Sequence, residues 1–575
     1  MMTKTVKDAW RRKEVVSILF LDVKGAFPSV AVDRLIHNMR AKGIPVQYTE
    51  WMQRRLADRH TTLFFDDHQS ERFAIDNGLD QGDPYSVICY LLYNAGLLEI
   101  PIPFIHETIL LFVDDATAIV AGKTFEDTHR MLRAIMERRG GIFEWAKEHN
   151  CGFGVEKFQL LDLTKKTIAH TFIANRQAPT PRPNLRLGNH IIKSKASAKF
   201  LGVIVDNTLN WKEQAAAALG KGHDWVLQFG RLAQPTKGAS RANMRRFYLT
   251  IAVPRMLYAA DIFLTPLTRR TTVTLGRNGR AVINKLAGVQ RRAALNITGG
   301  MRSSPTDALD VLANILPFEL LVKQNHKQAA LRLATLPETH PLSTPVIGAA
   351  RRFVKSHATP LHHLLHELGR DPKTLEVIRA ARRTNKWKAA FTTEMAKTRE
   401  DAEAAELQDR EDRDSVRVYT DGSGLGGEIG AAAVLYRGET EKGQKRYHLG
   451  TIEEHMVYEG ECMGALLGLE LMKQQRNIRN VSMYIDSQAV IQAATSNKPA
   501  PGHYLLDEVH KQYCIVRKMH GNMDMIVRWS PGHSGIPGNE AADKAAREAA
   551  EGNTTTMRHL PRLLKNGLPH SRSAA

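Results

Sequence analysis

Three aspartates in the last third of the chain stand where a polypeptide can do phosphodiester chemistry. Asp421 lies in VYTDGSG, Asp486 in MYIDSQA and Asp543 in GNEAADKAAREAA. The first two end or interrupt apolar, strand-like runs, and the third falls in an Ala-rich, helix-like one. A carboxylate at a strand end sits at the edge of its sheet, where ligands approach. Several such groups brought together repel one another unless cations hold them. Two Mg²⁺ ions roughly 3.5 to 4 Å apart, bound by carboxylates, are the usual arrangement for hydrolysing a phosphodiester. Taken singly, an Asp before Gly or Ser is ordinarily a turn or N-cap residue, so the argument rests on the recurrence.

A second acidic set lies near the start. Asp22 ends the apolar run SILFLDV, and Phe27 follows in KGAFPSV. Asp114 and Asp115 stand side by side in LLFVDDATAIV, between two β-rich runs. An Asp-Asp pair between strands is by itself a common hairpin turn. A turn has no need of a second strand-end Asp, nor of GLDQGDPYSVICYLLYN between the two.

Positioning these groups takes several domains. The 575 residues suggest three or four at roughly 150 residues each, and the apolar content is enough for each to bury a core. The fold class expected is multidomain α/β and α+β. Residues 1–165 alternate short β-rich runs with helical segments, and a Pro-rich break, APTPRPNLRLG, and the β-like KFLGVIVD occupy 166–210. Residues 211–398 are helical in pattern, and 399–414 have dense mixed charge that reads as a linker or a solvated helix. Residues 415–552 carry closely spaced strands, then helices, and read as a mixed sheet with helices. The polar tail 553–575 reads as poorly ordered.

Charge narrows the class of partner. With 80 Lys and Arg against 60 Asp and Glu, the chain carries a formal +20, which fits a polyanion, most often nucleic acid. Residues 211–360 hold 22 Lys and Arg against 7 Asp and Glu, so one contiguous region carries most of the excess. Four scattered cysteines without C-x-x-C spacing argue against a disulfide framework or a zinc site and for a reducing, intracellular setting, cytoplasm or nucleus. No apolar run is long enough to span a membrane, and the basic start followed by a short run carrying Asp22 does not read as a signal peptide.

DGSG, ECMGALLGLE, YIDSQAVI and WSPGHSGIPGNEAAD, in this order, resemble type 1 ribonuclease H over residues 415–552. The resemblance implies Asp421, Glu461, Asp486 and Asp543 as metal-binding acids, two Mg²⁺ ions as cofactors with Mn²⁺ as the alternative, and an RNA/DNA hybrid as substrate. It also implies His533 on a mobile loop, assisting turnover. Helical periodicity sets Glu459 and Glu461 at opposite edges of a buried stripe and does not choose between them. The family pattern, an acid opening an E-x-x-x-A helix with a second Glu at Glu470, favours Glu461, with Glu459 as the fallback.

The amino-terminal segments resemble motifs A, B and C of a reverse transcriptase palm of the non-LTR, LINE-like retrotransposon type. The resemblance implies metal binding by Asp22 and Asp114 with Asp115 beside them. It implies exclusion of a 2′-OH by Phe27, a nucleotide-facing turn at Gln81 and Gly82, and a motif D lysine at Lys157. KFLGVIVD resembles the primer-grip hairpin, motif E. ALNITGGMRSSPTDALDVLANILPFELLVKQ resembles the helical region after the thumb, and the basic excess of residues 211–360 around it would neutralise phosphates of a template/primer.

The pattern departs from the family in three respects. Only 21 residues precede Asp22, no endonuclease or zinc knuckle appears, and motif B reads QGDP, which adds an acid beside a negatively charged nucleotide. The expectation is therefore an amino-terminally truncated element with weak or no polymerase activity and a working ribonuclease H. The alternative is a catalytically inactive nucleic-acid-binding relic.

Overall fold

The structure is a computed structural model that describes residues 1–169, 177–233, 237–265, 277–380, 387–412, 415–521, 523–532 and 534–575. It divides into two compact units. One comprises residues 1–326 and 353–364, the other 327–352 and 365–575.

In the first unit, the apolar runs around the acids form one antiparallel sheet. Its strands are β1 (Val15–Leu21), β2 (Glu107–Phe112), β3 (Asp115–Gly122) and β4 (Gln159–Leu163), in the order β4-β1-β3-β2. The run VVSILFL lacks a polar face because both faces are covered. Leu19 and Leu21 pack with Leu132 and Ile135 of helix α1 (Phe125–Glu137), whereas Val16 and Ile18 pack with Val6, Ala9 and Trp10 of the helix Met2–Arg11. One polar cluster interrupts this core. Ser17 donates to Asp162 at 2.5 Å, His129 Nε2 lies 3.1 Å from the same carboxylate, and Ser17 Oγ is 2.6 Å from Thr128 Oγ1. KFLGVIVD forms the hairpin Ser197–Phe200 with Val203–Asp206, and Leu201 and Gly202 take the two positive-φ positions that a tight turn requires. The basic region that follows is helical, with Lys212–Gly230, Arg241–Phe247 and Arg277–Thr298 sharing one apolar core.

The second unit holds a six-stranded mixed sheet. Its strands are β5 (Thr392–Glu394), β6 (Val416–Leu425), β7 (Glu428–Arg437), β8 (Thr440–Thr451), β9 (Asn480–Ile485) and β10 (Asp524–Trp529), in the order β5-β10-β9-β6-β7-β8. The β6-β7-β8 pairings are antiparallel, and β9 and β10 continue from β6 in parallel, as does β5 beyond them. Helix α2 (Val457–Met472) covers one face and α3 (Pro537–Ala550) the other.

Two segments differ from their sequence reading. The charged stretch is the helix of its two readings, Arg399–Glu411 capped by Thr398, but it is not merely solvated: it docks on the sheet through buried polar groups. Glu406 accepts from the Tyr419 hydroxyl and pairs with Arg417 at 3.3 Å, while Asp409 accepts from Tyr484 at 2.6 Å and pairs with Arg528 at 2.8 Å. The tail is ordered as well. Leu560 and Leu564 enter the main core, and the backbone around His570 exchanges hydrogen bonds with Thr374 and Glu376. Composition suggested disorder because two leucines and a set of backbone partners suffice to anchor an otherwise polar segment.

Candidate active site

The position of α2 against the sheet is set by glycine. Gly460, Gly464 and Gly468 recur every fourth residue and so share one face of the helix. A Cβ on Gly460 would lie 3.0 Å from the Gly430 carbonyl, one on Gly464 3.1 Å from the Ala432 carbonyl, and one on Gly468 2.8 Å from Val418. Gly422, next to Asp421, meets the same helix from the sheet side. With no side chains between them, the backbones of α2 and β6 approach closely enough for Glu461 to reach the strand end that carries Asp421.

Asp421, Glu461 and Asp486 offer carboxylate oxygens that all lie within 4.8 Å of one another. Among the described residues, this is the only set of three acidic, histidine or cysteine side chains so gathered. Asp421 is 7% and Glu461 6% exposed. Burial first, then the nearby Asp486 and Asp543, push the Asp421 carboxyl up to about 7. Burial followed by Asp486 and Asp421 raises Glu461 well above the usual carboxylate range. Glu461 Oε2 is buried with no hydrogen-bond partner. Three close carboxylates that would repel one another as anions, with an orphaned oxygen among them, form a donor set that could hold a hard divalent cation.

Asp543 stands on α3, close enough to act on Asp421 but outside the trio, and it pairs with Arg547 at 2.8 Å. Glu459 is elsewhere: it is 1% exposed, accepts from the Met456 backbone at 3.0 Å and faces His455 at 3.4 Å, closing a capping box at the start of α2. His533 lies outside the described residues, between Gly532, which borders Asp486, and Ser534. The glycine spacing and the cap were both legible in YEGECMGALLGLE, since a residue type recurring at four marks a helix face and a Glu at N3 marks a cap.

The amino-terminal acids are more open. Asp22 follows β1 half-exposed, and Lys157 Nζ lies 3.5 Å from its Oδ2. Val113 and Asp114 form the two-residue turn between β2 and β3, and Asp115 begins β3. Val113 holds φ +56, a strained value for a β-branched residue, and Asn94 donates to its carbonyl at 2.5 Å. Burial, then Asp114 and Asp22, raise the Asp115 carboxyl, so the three groups sense one another without forming a metal-sized cluster. Phe27 packs on Tyr90 with ring centres 5.1 Å apart. Gln81 and Gly82 are exposed, with Gly82 at φ +95. The extra acid of QGDP is already engaged: Asp83 accepts from Tyr85 N at 3.0 Å as the N-cap of the helix Pro84–Asn94 and pairs with Arg55.

Comparison with known proteins gives each unit its relatives. Family models match at residues 1–205, for reverse transcriptase (RNA-dependent DNA polymerase), and at residues 413–551, for RNase H. A ribonuclease H from Enterobacter sp. (strain 638) is 33% identical over 145 residues, which cover 24% of this chain and 88% of that protein. The chain belongs to the ribonuclease H family. The ribonuclease H domain is joined to a segment that is similar to reverse transcriptases, and the relatives matched there are retroelement proteins. The "Probable RNA-directed DNA polymerase from transposon BS" of Drosophila melanogaster is 22% identical over 52% of this chain. The "Retrovirus-related Pol polyprotein from type-1 retrotransposable element R2" of Popillia japonica is 23% identical over 42%. The chain spans 30% and 38% of the lengths of these two relatives.

Among solved structures, RNase H1 from the archaeon Halobacterium salinarum NRC-1 is similar at 19% identity and a TM-score of 0.19, over 24% of this chain and 99% of that one. Apo telomerase from Candida tropicalis is similar at 12% identity and a TM-score of 0.25, over 36% and 37%. Among the described residues, no helix is long and apolar enough to cross a membrane.

Proposed function

We propose that the carboxy-terminal domain hydrolyses the RNA strand of RNA/DNA hybrids by a two-metal route. Asp421, Glu461, Asp486 and Asp543 would hold two Mg²⁺ ions, with Mn²⁺ as the alternative. The observation that carries this reading is the convergence of Asp421, Glu461 and Asp486 within 4.8 Å in a domain of the ribonuclease H family. When bound, the ions supply Lewis-acid stabilisation of the phosphoryl oxygens. The chain's own part is to hold three anions at close range, at the cost seen in the raised carboxyls of Asp421 and Glu461. Asp543 is bound to Arg547 by a surface ion pair that can exchange for a second ion. His533 would assist turnover. Hybrids would be told from DNA duplex by the 2′-OH groups of one strand.

The reverse transcriptase segment would engage template/primer through Asp22, Asp114 and Asp115, with Phe27, Gln81, Gly82 and Lys157 at the nucleotide. The alternative reading of that unit is a nucleic-acid-binding module with little synthesis. Labelled RNA/DNA hybrid incubated with the full chain and Mg²⁺ tests the main proposal. Cleavage of the RNA strand, lost in Asp421→Asn, is expected. An intact hybrid, or equal cleavage by the variant, would overturn it. Primer extension on an RNA template with the same preparation tests the second reading, which robust synthesis would contradict.

A further inference from the structure

The first unit contains a cationic cavity that the palm acids do not line. Helix Met2–Arg11, the chain leaving β4 and the segment 354–363 enclose about 190 Å³, bordered by Lys7, Lys165, Lys355, His357, His363 and Trp211. Three of its lining residues, Lys7, Lys165 and His357, gather around one indole behind the wall. Trp10 is 5% exposed and donates to the Leu163 carbonyl at 3.3 Å, and the ammoniums of Lys7 and Lys165 lie 5.9 and 5.5 Å from its ring centre. His357 closes the wall, edge-on to Trp10 at 5.6 Å, with its carbonyl held by Arg11 at 3.2 Å and its backbone at φ +55.

Among the described residues, no acid lines this cavity. Among the described residues, none of Lys7, Lys165 and Lys355 forms an ion pair. The acid that acts on Lys165 is Asp206, and Asp206 already accepts hydrogen bonds from Thr208 N, Thr208 Oγ1, Asn210 N and Trp211 N. Asp8, on the same helix as Lys7, is taken by Lys4 and Arg11. Burial, then Lys165 and Arg11, press the Lys7 ammonium down to about 8. Apolar or neutral residues would fill this place at lower cost, so the stored repulsion points to an anion that relieves it. The volume limits which anion. Sites for drug-sized ligands run from about 300 Å³ upward, so a whole nucleotide exceeds the space, whereas a phosphate group fits with its waters.

We propose that this cavity binds a phosphate group through Lys7, Lys165 and Lys355, either as free phosphate or pyrophosphate or as the terminal phosphate of a nucleic-acid strand. Trp10 gives the lysines an aromatic surface to rest on, and Arg11 keeps the His357 wall in place. The site is independent of the nuclease acids.

Calorimetric titration of the full chain in a phosphate-free buffer tests it, first with inorganic phosphate and pyrophosphate. A second arm uses one oligonucleotide with a 5′-phosphate or a 5′-hydroxyl, at raised salt to suppress general binding. Wild type is expected to bind a phosphate species. Lys7→Gln and Lys165→Gln, on separate segments, should each weaken that binding about tenfold or more with unchanged melting, while Lys221→Gln should not. A preference for the phosphorylated oligonucleotide that both variants lose assigns the strand end, and binding of the free anions without that preference assigns the free ligand. No binding by wild type in either arm, or equal affinity in both cavity variants, overturns the proposal.

Discussion

Gly422 and Glu461 meet backbone to backbone: a Cβ on Gly422 would fall 2.3 Å from the Glu461 amide nitrogen. The strand that carries Asp421 and the helix that carries Glu461 are thus held at a separation that no side chain at this position permits. Gly422→Ala should force α2 off β6, costing about 1–3 kcal/mol, the range for an overpacked core. Hybrid cleavage should fall further than stability, because the carboxylate geometry is lost first. Urea unfolding run beside a cleavage assay separates the two effects, and a variant with wild-type rates would show that the spacing is not critical.

The raised acids make stability depend on pH and on metal. Burial, then Asp486 and Asp543, push the Asp421 carboxyl up to about 7 from the 3.8 of a free side chain. Its contribution is therefore fully present below pH 3.8 and is lost as pH rises through 7, a loss of roughly 4 kcal/mol if the whole shift is expressed. Glu461 shifts in the same direction. Without divalent ions, the melting temperature of this unit should fall between pH 4 and pH 8. Added Mg²⁺ should restore more of it at pH 8 than at pH 5. Asp421→Asn should melt higher than wild type in EDTA at pH 8 while failing to cleave. Thermal melts across this matrix provide the check, and a metal effect that is independent of pH would contradict the linkage.

The helix Arg399–Glu411 should prove integral to the nuclease unit. Arg417 is 2% and Glu406 3% exposed, so Glu406→Ala leaves a buried guanidinium unpaired, at a cost of about 3–5 kcal/mol. A fragment of residues 415–552 loses this helix, β5 and the tail leucines together. It should melt without cooperativity, whereas residues 387–575 should give a sigmoidal transition by circular dichroism.

Asp83 offers a milder test in the first unit. Asp83→Ser keeps an N-cap for the helix Pro84–Asn94 and removes only the exposed pairing with Arg55, so stability should change by less than about 1 kcal/mol. Asp83→Ala removes the cap as well and should cost about 1 kcal/mol more, read by chemical denaturation. Equal effects would mean that the cap contributes nothing.

The acids themselves were legible, because strand-end aspartates show up as an apolar run broken by one charge. The choice of Glu461 over Glu459 needed either a family pattern or the fold itself, since both lie on the same short turn and periodicity separates them only by angle. Other features depend on residues distant in sequence and gave no local signal. Glu406 finds Arg417 and Tyr419 across a strand, and Leu560 finds a core built almost wholly before it. The palm acids mark the opposite limit. Their motifs read clearly, yet spacing along the chain says nothing about how near three carboxylates come.

The polar cluster of Ser17, Asp162, His129 and Thr128 acquires a meaning from its surroundings. A strand reading VVSILFL, apolar on both faces, could slide against β4 by a residue or two and still bury hydrocarbon everywhere. Only at one alignment, Ser17 opposite Asp162, does β1 offer the buried carboxylate a donor; at any other, His129 of α1 is left as its partner alone. That single match sets the phase of β1 and, through it, where its last turn of chain releases Asp22. A substitution such as Ser17→Val would remove that marker from the strand that leads into Asp22.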